Sequence, residues 1–289
     1  MRMGAWKGFE LSLTEPGILW VTLNRPERKN GMTSAMKRDL IEALTHAQMD
    51  DSVRVIVFIG SGDSFSAGDD LKGYARGMRD EPGEVPLIPP GHDTGIGTYD
   101  GLRWISQQLN TTVRQIYKIT IAAINGVAIQ TGFSLALACD FRIAATDARM
   151  GSATLRFALL PDEGGQALLV QHLGLAKTMD FLMRKRIVTG VEAAEMGLVT
   201  AAVPPADLKQ EVEALAREMA EGPQVAMRLL KRSVYNAAEM TWAQSLDDIA
   251  GKTAVVDHHP DAKEGGNSFR EKRRPTFNSW LDTPDRDAG

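Results

Sequence analysis

The feature that most constrains this chain is a recurrence of apolar strand, glycine-bearing turn and apolar helix. VRVIVFIGSG, beginning at Val53, is an almost continuous apolar run, the kind of strand that is covered on both faces. ITIAAING, from Ile119, and FRIAAT, from Phe141, repeat that character, and ILWVTLNRP is a further strand closed by Pro26. Between them lie stretches with apolar residues at helical spacing, TSAMKRDLIEALTHAQMD, with Thr33 or Ser34 as its cap, and TYDGLRWISQQLNTTVRQIYK. Strands alternating with helices predict an α/β core. From about Pro204 the pattern changes: ADLKQEVEALAREMAEG, PQVAMRLLKRSVYNAAEM and TWAQSLDDIAGKTAVV read as amphipathic helices, followed by HHPDAKEGGNSFREKRRPTF and a Pro-containing tail.

The 289 residues suit one large domain or a domain with an appendage. Chains of this length bury about three quarters of their unfolded surface. Thirty-three basic against 37 acidic residues give a net charge of -4, with the basic ones spread along the chain. That argues against nucleic acid as the main partner. The one dense basic cluster, Lys272–Arg273–Arg274, is a solvated surface or a hold for one phosphate group. The single cysteine, Cys139, cannot form an internal disulfide, and its apolar neighbours describe a buried, inert thiol rather than a nucleophile. The amino terminus lacks a long apolar signal region. The most apolar window, ITIAAINGVAIQTGFSLALA, carries Asn125, Gln130, Thr131 and Ser134, so it reads as strand, turn and helix, not a membrane span. A reducing, cytoplasmic setting is expected, with no membrane partner. His258 and His259 are adjacent and so do not share a helix face, and no other metal-ligand spacing occurs, so no metal is expected. GMRDEPGEVPLIPPGHDTGIGTYD, residues 77–100, has no periodicity and reads as a mobile lid or pocket wall, with His92 a lone, solvated histidine in it.

Three turns invite chemistry. In GSGDSFSAGDDLKGY a buried strand ends at Gly60 and a helix begins near Asp69–Asp70; in NGVAIQTGFSLALACD a strand leads through Asn125–Gly126 to a helix beginning near Gly132. Unpaired backbone N–H groups at a helix start point at whatever sits above them. Two such donors meeting at one oxygen make an oxyanion hole. The third turn is FALLPDEGGQALL, where Asp162 and Glu163 stand between apolar runs. Pro, Asp and Gly are turn formers and an acid suits the first turn of a helix, so a structural reading is sufficient there: Asp162 as a cap and Glu163 facing solvent.

Taken in order, these segments resemble the crotonase, or enoyl-CoA hydratase/isomerase, superfamily over nearly the whole chain. The resemblance runs from VTLNRPERKNGMT through DSFSAGDDL, AAINGVAIQTGFSLALACDFRIA, LLPDEGG and GVEAAEMGLVTAAVPP to SFREKRRPTF. It implies a crotonase-like spiral of ββα turns over residues 1–203 and a helical carboxy-terminal region, 204–289, that builds trimers or hexamers. It also implies an acyl-CoA thioester as substrate, with coenzyme A part of that substrate and no separate cofactor. The family's oxyanion donors fall on the backbone N–H groups of Asp69 and Thr131. Most relatives have a run of glycines at the second turn, so Gln130–Thr131 is a departure that narrows the pocket. The family's coenzyme A cradle falls on Arg28, Lys29, Ala67 and Leu71, and its tail contacts, often from a neighbouring subunit, on Phe269 and Lys272. Tyr74, ahead of the insert, joins the substrate pocket.

Hydratase members use two glutamates, whose positions fall here on Ser134 and Thr154. A hydroxyl is a poor general base near neutral pH, so a two-glutamate mechanism is unavailable. In some members without them, an acid at the position of Asp162 does the work: as acid/base in a subgroup of isomerases sharing the PD.GG turn, and as a nucleophile in a dehalogenase subgroup. A single carboxylate suits a β,γ to α,β double-bond shift, which activates no water. Three readings follow: an enoyl-CoA isomerase with Asp162 as base, a hydratase or hydrolase in which Asp162 positions water, and a non-catalytic acyl-CoA binder.

Overall fold

The computed structural model describes residues 6–70, 89–92 and 94–281. Strands β1 (Phe9–Thr14) and β2 (Ile18–Leu23) pair antiparallel and are followed by helix α1 (Ser34–Gln48). Three strand pairs come next: β3 (Val55–Gly60) with β4 (Ser64–Ser66), β5 (Ile119–Ile124) with β6 (Val127–Ile129), and β7 (Phe141–Ala145) with β8 (Arg149–Gly151). The first member of each pair enters one sheet and the second member another. The six-stranded sheet runs β1-β2-β3-β5-β7-β10, with β10 at Ala201–Val203, and is parallel from β2 onward. The four-stranded sheet runs β4-β6-β8-β9, with β9 (Ile187–Thr189) antiparallel at its edge. This is the α/β spiral expected from the sequence.

The corners between the sheets are tied together. Asn125, at the β5–β6 corner, accepts from the Gly60 N–H at 3.1 Å and donates to the carbonyls of Gly60 and Gly62 at 2.9 and 3.0 Å. One side chain thus replaces water for three backbone groups of the neighbouring corner. The strands between corners are apolar on both faces, and Val55, Ile56, Val57, Phe58, Ile121 and Ile124 are wholly buried. Helix α1, capped by the Thr33 hydroxyl on the Met36 N–H at 3.2 Å, lays Met36, Leu40, Leu44 and Ala47 on this core.

A long helical run lies on the other side of the insert: α2 (Gly95–Gly101), a π-helical turn at Leu102–Ser106, and α3 (Gln107–Gln115). The expected loop therefore ends sooner than its composition suggests, since residues from Gly95 are already helical. His92 is not merely solvated either; its ring nitrogen Nδ1 lies 2.7 Å from Asp100 Oδ2. Most of the insert, residues 77–88 and 93, lies outside the described residues.

After β6 comes α4 (Thr131–Ala138), and after β8 come α5 (Gly165–Leu173), α6 (Leu175–Met183) and α7 (Gly190–Met196). The carboxy-terminal helices are α8 (Leu208–Glu221), α9 (Gln224–Ala237), α10 (Trp242–Asp257) and α11 (Pro260–Glu271). α8 packs Leu208, Val212, Ala216 and Ala220, a strict four-residue stripe, onto the large sheet. α9 is pinned by Lys231, whose Nζ donates to the Lys118 carbonyl at 2.9 Å and to Asp140 Oδ2 at 2.8 Å. α11 lies within the expected helical carboxy-terminal region and forms in spite of Gly265 and Gly266. It forms with Pro260 in its first turn, His259 Nδ1 accepting from the Asp261 N–H, and the Asn278 N–H of the tail donating to Asp261 Oδ1 at 2.8 Å.

Candidate active site

The first turn leaves β4 at Ala67–Asp70 and runs beside Met32. The Met32 N–H donates to the Gly68 carbonyl at 2.8 Å, and the Asp70 N–H donates to the Met32 carbonyl at 2.9 Å. In a parallel bridge the residue between those two groups turns its own N–H to the opposite side. That residue is Asp69, so its amide is free of the ladder that holds its neighbours. Arg25 fixes the exit of the turn through a 2.8 Å ion pair with Asp70.

The second turn leaves β6 at Ile129. Gln130 has φ 47 and ψ -110, a conformation that L side chains rarely adopt and that glycine adopts freely. Its N–H donates to the Gly151 carbonyl and its carbonyl receives the Ser134 N–H at 2.7 Å, the first bond of α4. The helix thus begins at Thr131, one residue before the expected start, and the N–H groups of Thr131, Gly132 and Phe133 have no acceptor within it.

The two turns touch. A side chain begun on Gly68 would lie 3.0 Å from the Ile129 carbonyl oxygen, and one begun on Gly132 would lie 2.4 Å from that of Ser66. Across the contact the Thr131 hydroxyl donates to Asp69 Oδ1 at 2.7 Å. The residues to which the family's oxyanion donors map are therefore joined directly through their side chains.

The PDEGG turn closes on the same place. Gln107 Nε2 donates to the Asp162 carbonyl at 2.8 Å and Asn110 Nδ2 to that of Glu163 at 2.9 Å, both from α3. Gly165 packs against α4, where an added side chain would begin 2.6 Å from Ser134 Oγ. Asp162 is half-buried. Burial pushes its carboxyl above the ordinary carboxylate range, and the nearby Asp69 charge adds to this, while its own backbone amide and Lys37 pull the other way.

Glu163 corrects an expectation. It does not face solvent: its side chain is 2% exposed and meets Lys37, which is 0% exposed, at 2.8 Å. Lys37 Nζ also contacts Asp69 Oδ1 at 2.7 Å and donates to Ser106 Oγ at 2.7 Å. Three oxygen acceptors thus surround the buried cation, a match for its three ammonium hydrogens. The Thr131 hydroxyl has one hydrogen, given to Asp69, so Glu163 Oε2 is left buried without a donor among the described residues. Burial raises the Glu163 carboxyl, and Lys37 opposes the shift.

Ser134 and Thr154, the positions of the hydratase glutamates, are both buried, and Thr154 shares a 3.2 Å hydroxyl contact with Ser152. Of the coenzyme A positions, Lys29 and Ala67 meet through a 2.9 Å backbone hydrogen bond, next to Arg28 and two residues before Asp69. The Lys29 ammonium is engaged by Asp63 at 2.5 Å. Phe269, 85% exposed, and Lys272, at the left-handed end of α11, stand on the carboxy-terminal helices. Leu71 and Tyr74 lie outside the described residues. Cys139 is buried, its thiol pushed up to about 12 by burial, in keeping with an inert residue. Asp140 accepts from Thr120, Lys231 and Tyr235. The site residues that the sequence did not reveal are Lys37, Ser106, Gln107, Asn110 and the buried role of Glu163. Only Lys37 carried a signal: it shares the apolar stripe of α1 with Leu40 and Leu44, where a cation is out of place.

Two sheets linked by tight corners, with two touching turns, one leaving β4 and the other opening α4, beside a buried carboxylate cluster, define a scaffold that can present backbone donors to a carbonyl oxygen. The chain belongs to the enoyl-CoA hydratase/isomerase family, whose pattern it matches over residues 14–86 and 92–280. It is 31% identical over 273 residues to the hydroxycinnamoyl-CoA hydratase-lyase of Pseudomonas fluorescens, covering 93% of this chain and 94% of that one. It is 32% identical over 272 residues to the 1,2-epoxyphenylacetyl-CoA isomerase of Escherichia coli K12, covering 93% and 98%. The crystal structure of an enoyl-CoA hydratase from Bacillus anthracis superposes with a TM-score of 0.84 at 29% identity, over 94% of this chain and 99% of that one. Among the described residues no helix is long and apolar enough to cross a membrane.

Proposed function

We propose that this member of the family is an enoyl-CoA isomerase that moves a double bond from the β,γ to the α,β position, with Asp162 as its acid/base. The observation that carries the reading is the identity of the carboxylates. The two positions used by hydratases hold the hydroxyls of Ser134 and Thr154, whereas Asp162 is half-buried on a turn packed against α4 and its carboxyl is raised.

The thioester oxygen sits between the N–H groups of Asp69 and Thr131. The Asp162 carboxylate takes the proton from the α-carbon; the electrons of that C–H bond delocalise into the carbonyl and the adjacent alkene as a dienolate, its charge on the thioester oxygen. The same carboxyl then returns the proton to the γ-carbon, leaving the conjugated product. One group gives back the proton it took, so no water and no redox partner enter. A carboxyl raised by burial is better matched to this exchange than an ordinary one. Coenzyme A lies along Arg28, Lys29 and Ala67. In a trimer or a dimer of trimers, Phe269 and Lys272 of one subunit reach the coenzyme A of the next, for which their exposure leaves them available.

The test offers β,γ- and α,β-enoyl-CoA thioesters. The panel includes aryl-substituted ones, since the names of both curated relatives above carry an acyl group with an aryl or aryl-derived ring. Isomerisation appears as a gain of conjugated absorbance from the first substrate, and hydration as its loss from the second. Asp162→Asn is expected to lower the first by about a thousandfold, the scale of a lost acid/base together with its proton transfer. Full activity in that variant would sink the assignment. Hydration without bond migration would transfer it to the hydratase reading, and tight binding with no turnover to the acyl-CoA binder.

A further inference from the structure

The structure assigns Thr131, Asp69 and Lys37 to a positioning network, a hydroxyl–carboxylate–ammonium chain that holds the two oxyanion turns in register with each other and with the PDEGG turn. This deepens the reading of Asp69 and Thr131 given above and rests on it. The chain of contacts is continuous: Thr131 Oγ1 to Asp69 Oδ1 at 2.7 Å, Asp69 Oδ1 to Lys37 Nζ at 2.7 Å, and Lys37 Nζ to Glu163 Oε1 at 2.8 Å. It links four segments separated in sequence, namely α1, both turns and the residue after Asp162. Ser106, from the π-helical turn, supplies a further partner of the ammonium.

Function follows from what an oxyanion hole requires. Its donors act only if they sit about 2.7–3.1 Å from where the oxygen will be, and a misplacement of about 1 Å is costly. The second turn here is built on Gln130, whose left-handed φ has no steric ease outside glycine. A glycine in place of Thr131 would offer no side chain with which to fasten it. Thr131 offers one, and its partner is the residue that carries the other donor. Asp69 in turn is only partly buried, with its side chain 16% exposed, and Lys37 provides the fixed, water-free anchor beneath it. The hydroxyl of Thr131 and the lysine on the apolar stripe of α1 thus have one common explanation. Neither Lys37 nor the Thr131 hydroxyl is a catalytic residue; both act through the amides they locate.

The test uses a para-dimethylamino-cinnamoyl-CoA thioester, whose absorption moves to the red when its carbonyl is polarised. The wild-type protein should show that red shift on binding. Thr131→Ser, which keeps the hydroxyl, should keep both the shift and kcat. Thr131→Val, which keeps the branched shape, should lose most of the shift and lower kcat about a hundredfold with KM within a few-fold, at an unchanged melting temperature. Thr131→Ala gives the same reading if the valine variant does not fold. A valine or alanine variant that matches wild type in shift and kcat overturns the network while leaving the oxyanion reading intact. A wild-type complex with no red shift overturns the oxyanion reading itself.

Discussion

Lys37 Nζ and Glu163 Oε1, 126 residues apart in the chain, meet at 2.8 Å with both side chains sealed from water. A buried ion pair adds little net stability, because desolvation offsets the attraction, but losing one partner strands the other. Here the stranded charge would sit beside a second carboxylate, Asp69.

Lys37→Met should therefore lower the unfolding free energy by about 3–5 kcal/mol at neutral pH. The sign of its pH dependence is fixed. Without the ammonium, the folded-state pKa of Glu163 rises further above its unfolded value, so the folded state holds protons that the unfolded one releases. Stability is then greatest below the unfolded carboxylate pKa and falls as the pH rises through the folded one. Urea titrations from acid to neutral pH should show the deficit of the variant widening with pH; a constant deficit would be inconsistent with stranded charge.

Asp162 gives a kinetic counterpart. As a base it must be ionised, so kcat/KM should rise with pH through one ionisation lying above the ordinary carboxylate range, as burial dictates. Lys37 favours the ionised form, so its removal should move that limb to still higher pH. A rising limb that stays in place in Lys37→Met would exclude electrostatic contact between the two groups.

Asp140 anchors the carboxy-terminal helices. It accepts from Lys231 Nζ at 2.8 Å, from the Tyr235 hydroxyl at 2.5 Å and from the Thr120 N–H and hydroxyl at 2.8 and 2.9 Å. Asp140→Asn keeps the shape and removes the counter-charge of a lysine that is 3% exposed. The expected loss is about 3–5 kcal/mol in urea unfolding, with kcat of the folded fraction unaltered. A loss under about 1 kcal/mol, the scale of a single neutral hydrogen bond, would refute the charge argument.

His172, at the end of α5, contacts the Leu137 carbonyl at 3.3 Å, and burial followed by the Arg142 charge lowers its pKa to about 4. Its depressed value means that the unfolded state binds the extra proton first. The stabilising contribution is present above the unfolded value near 6.5 and is lost as the pH falls through about 4. His172→Gln should flatten the acid limb of the stability curve in that window, by about 1–2 kcal/mol once partial solvent access is allowed for. A limb of unchanged slope would count against it.

The spiral was legible in the sequence because it rests on signals of short range. VIVFIG and ITIAAI declare strands covered on both faces, and glycines mark the β3–β4 and β5–β6 corners as tight turns. The two turns were legible for the same reason. The cluster beneath them was not. Lys37, Glu163 and Ser106 become neighbours only through tertiary packing, and a PDE tripeptide is equally well explained by a turn. Glu163 looked solvated because its partner stands on a helix more than a hundred residues earlier. α11, inside the expected helical region, forms despite its paired glycines, whose poor helix propensity is overridden by a capping histidine, a first-turn proline and the returning tail.

A lysine on the first helix that answers to an acid beside the third turn makes those two segments heritable as a unit. Recombination between homologues that joined one to a foreign version of the other would produce a chimaera with a solitary interior charge. Crossovers falling between them should be depleted among functional shuffled progeny, and those on either outer side should survive.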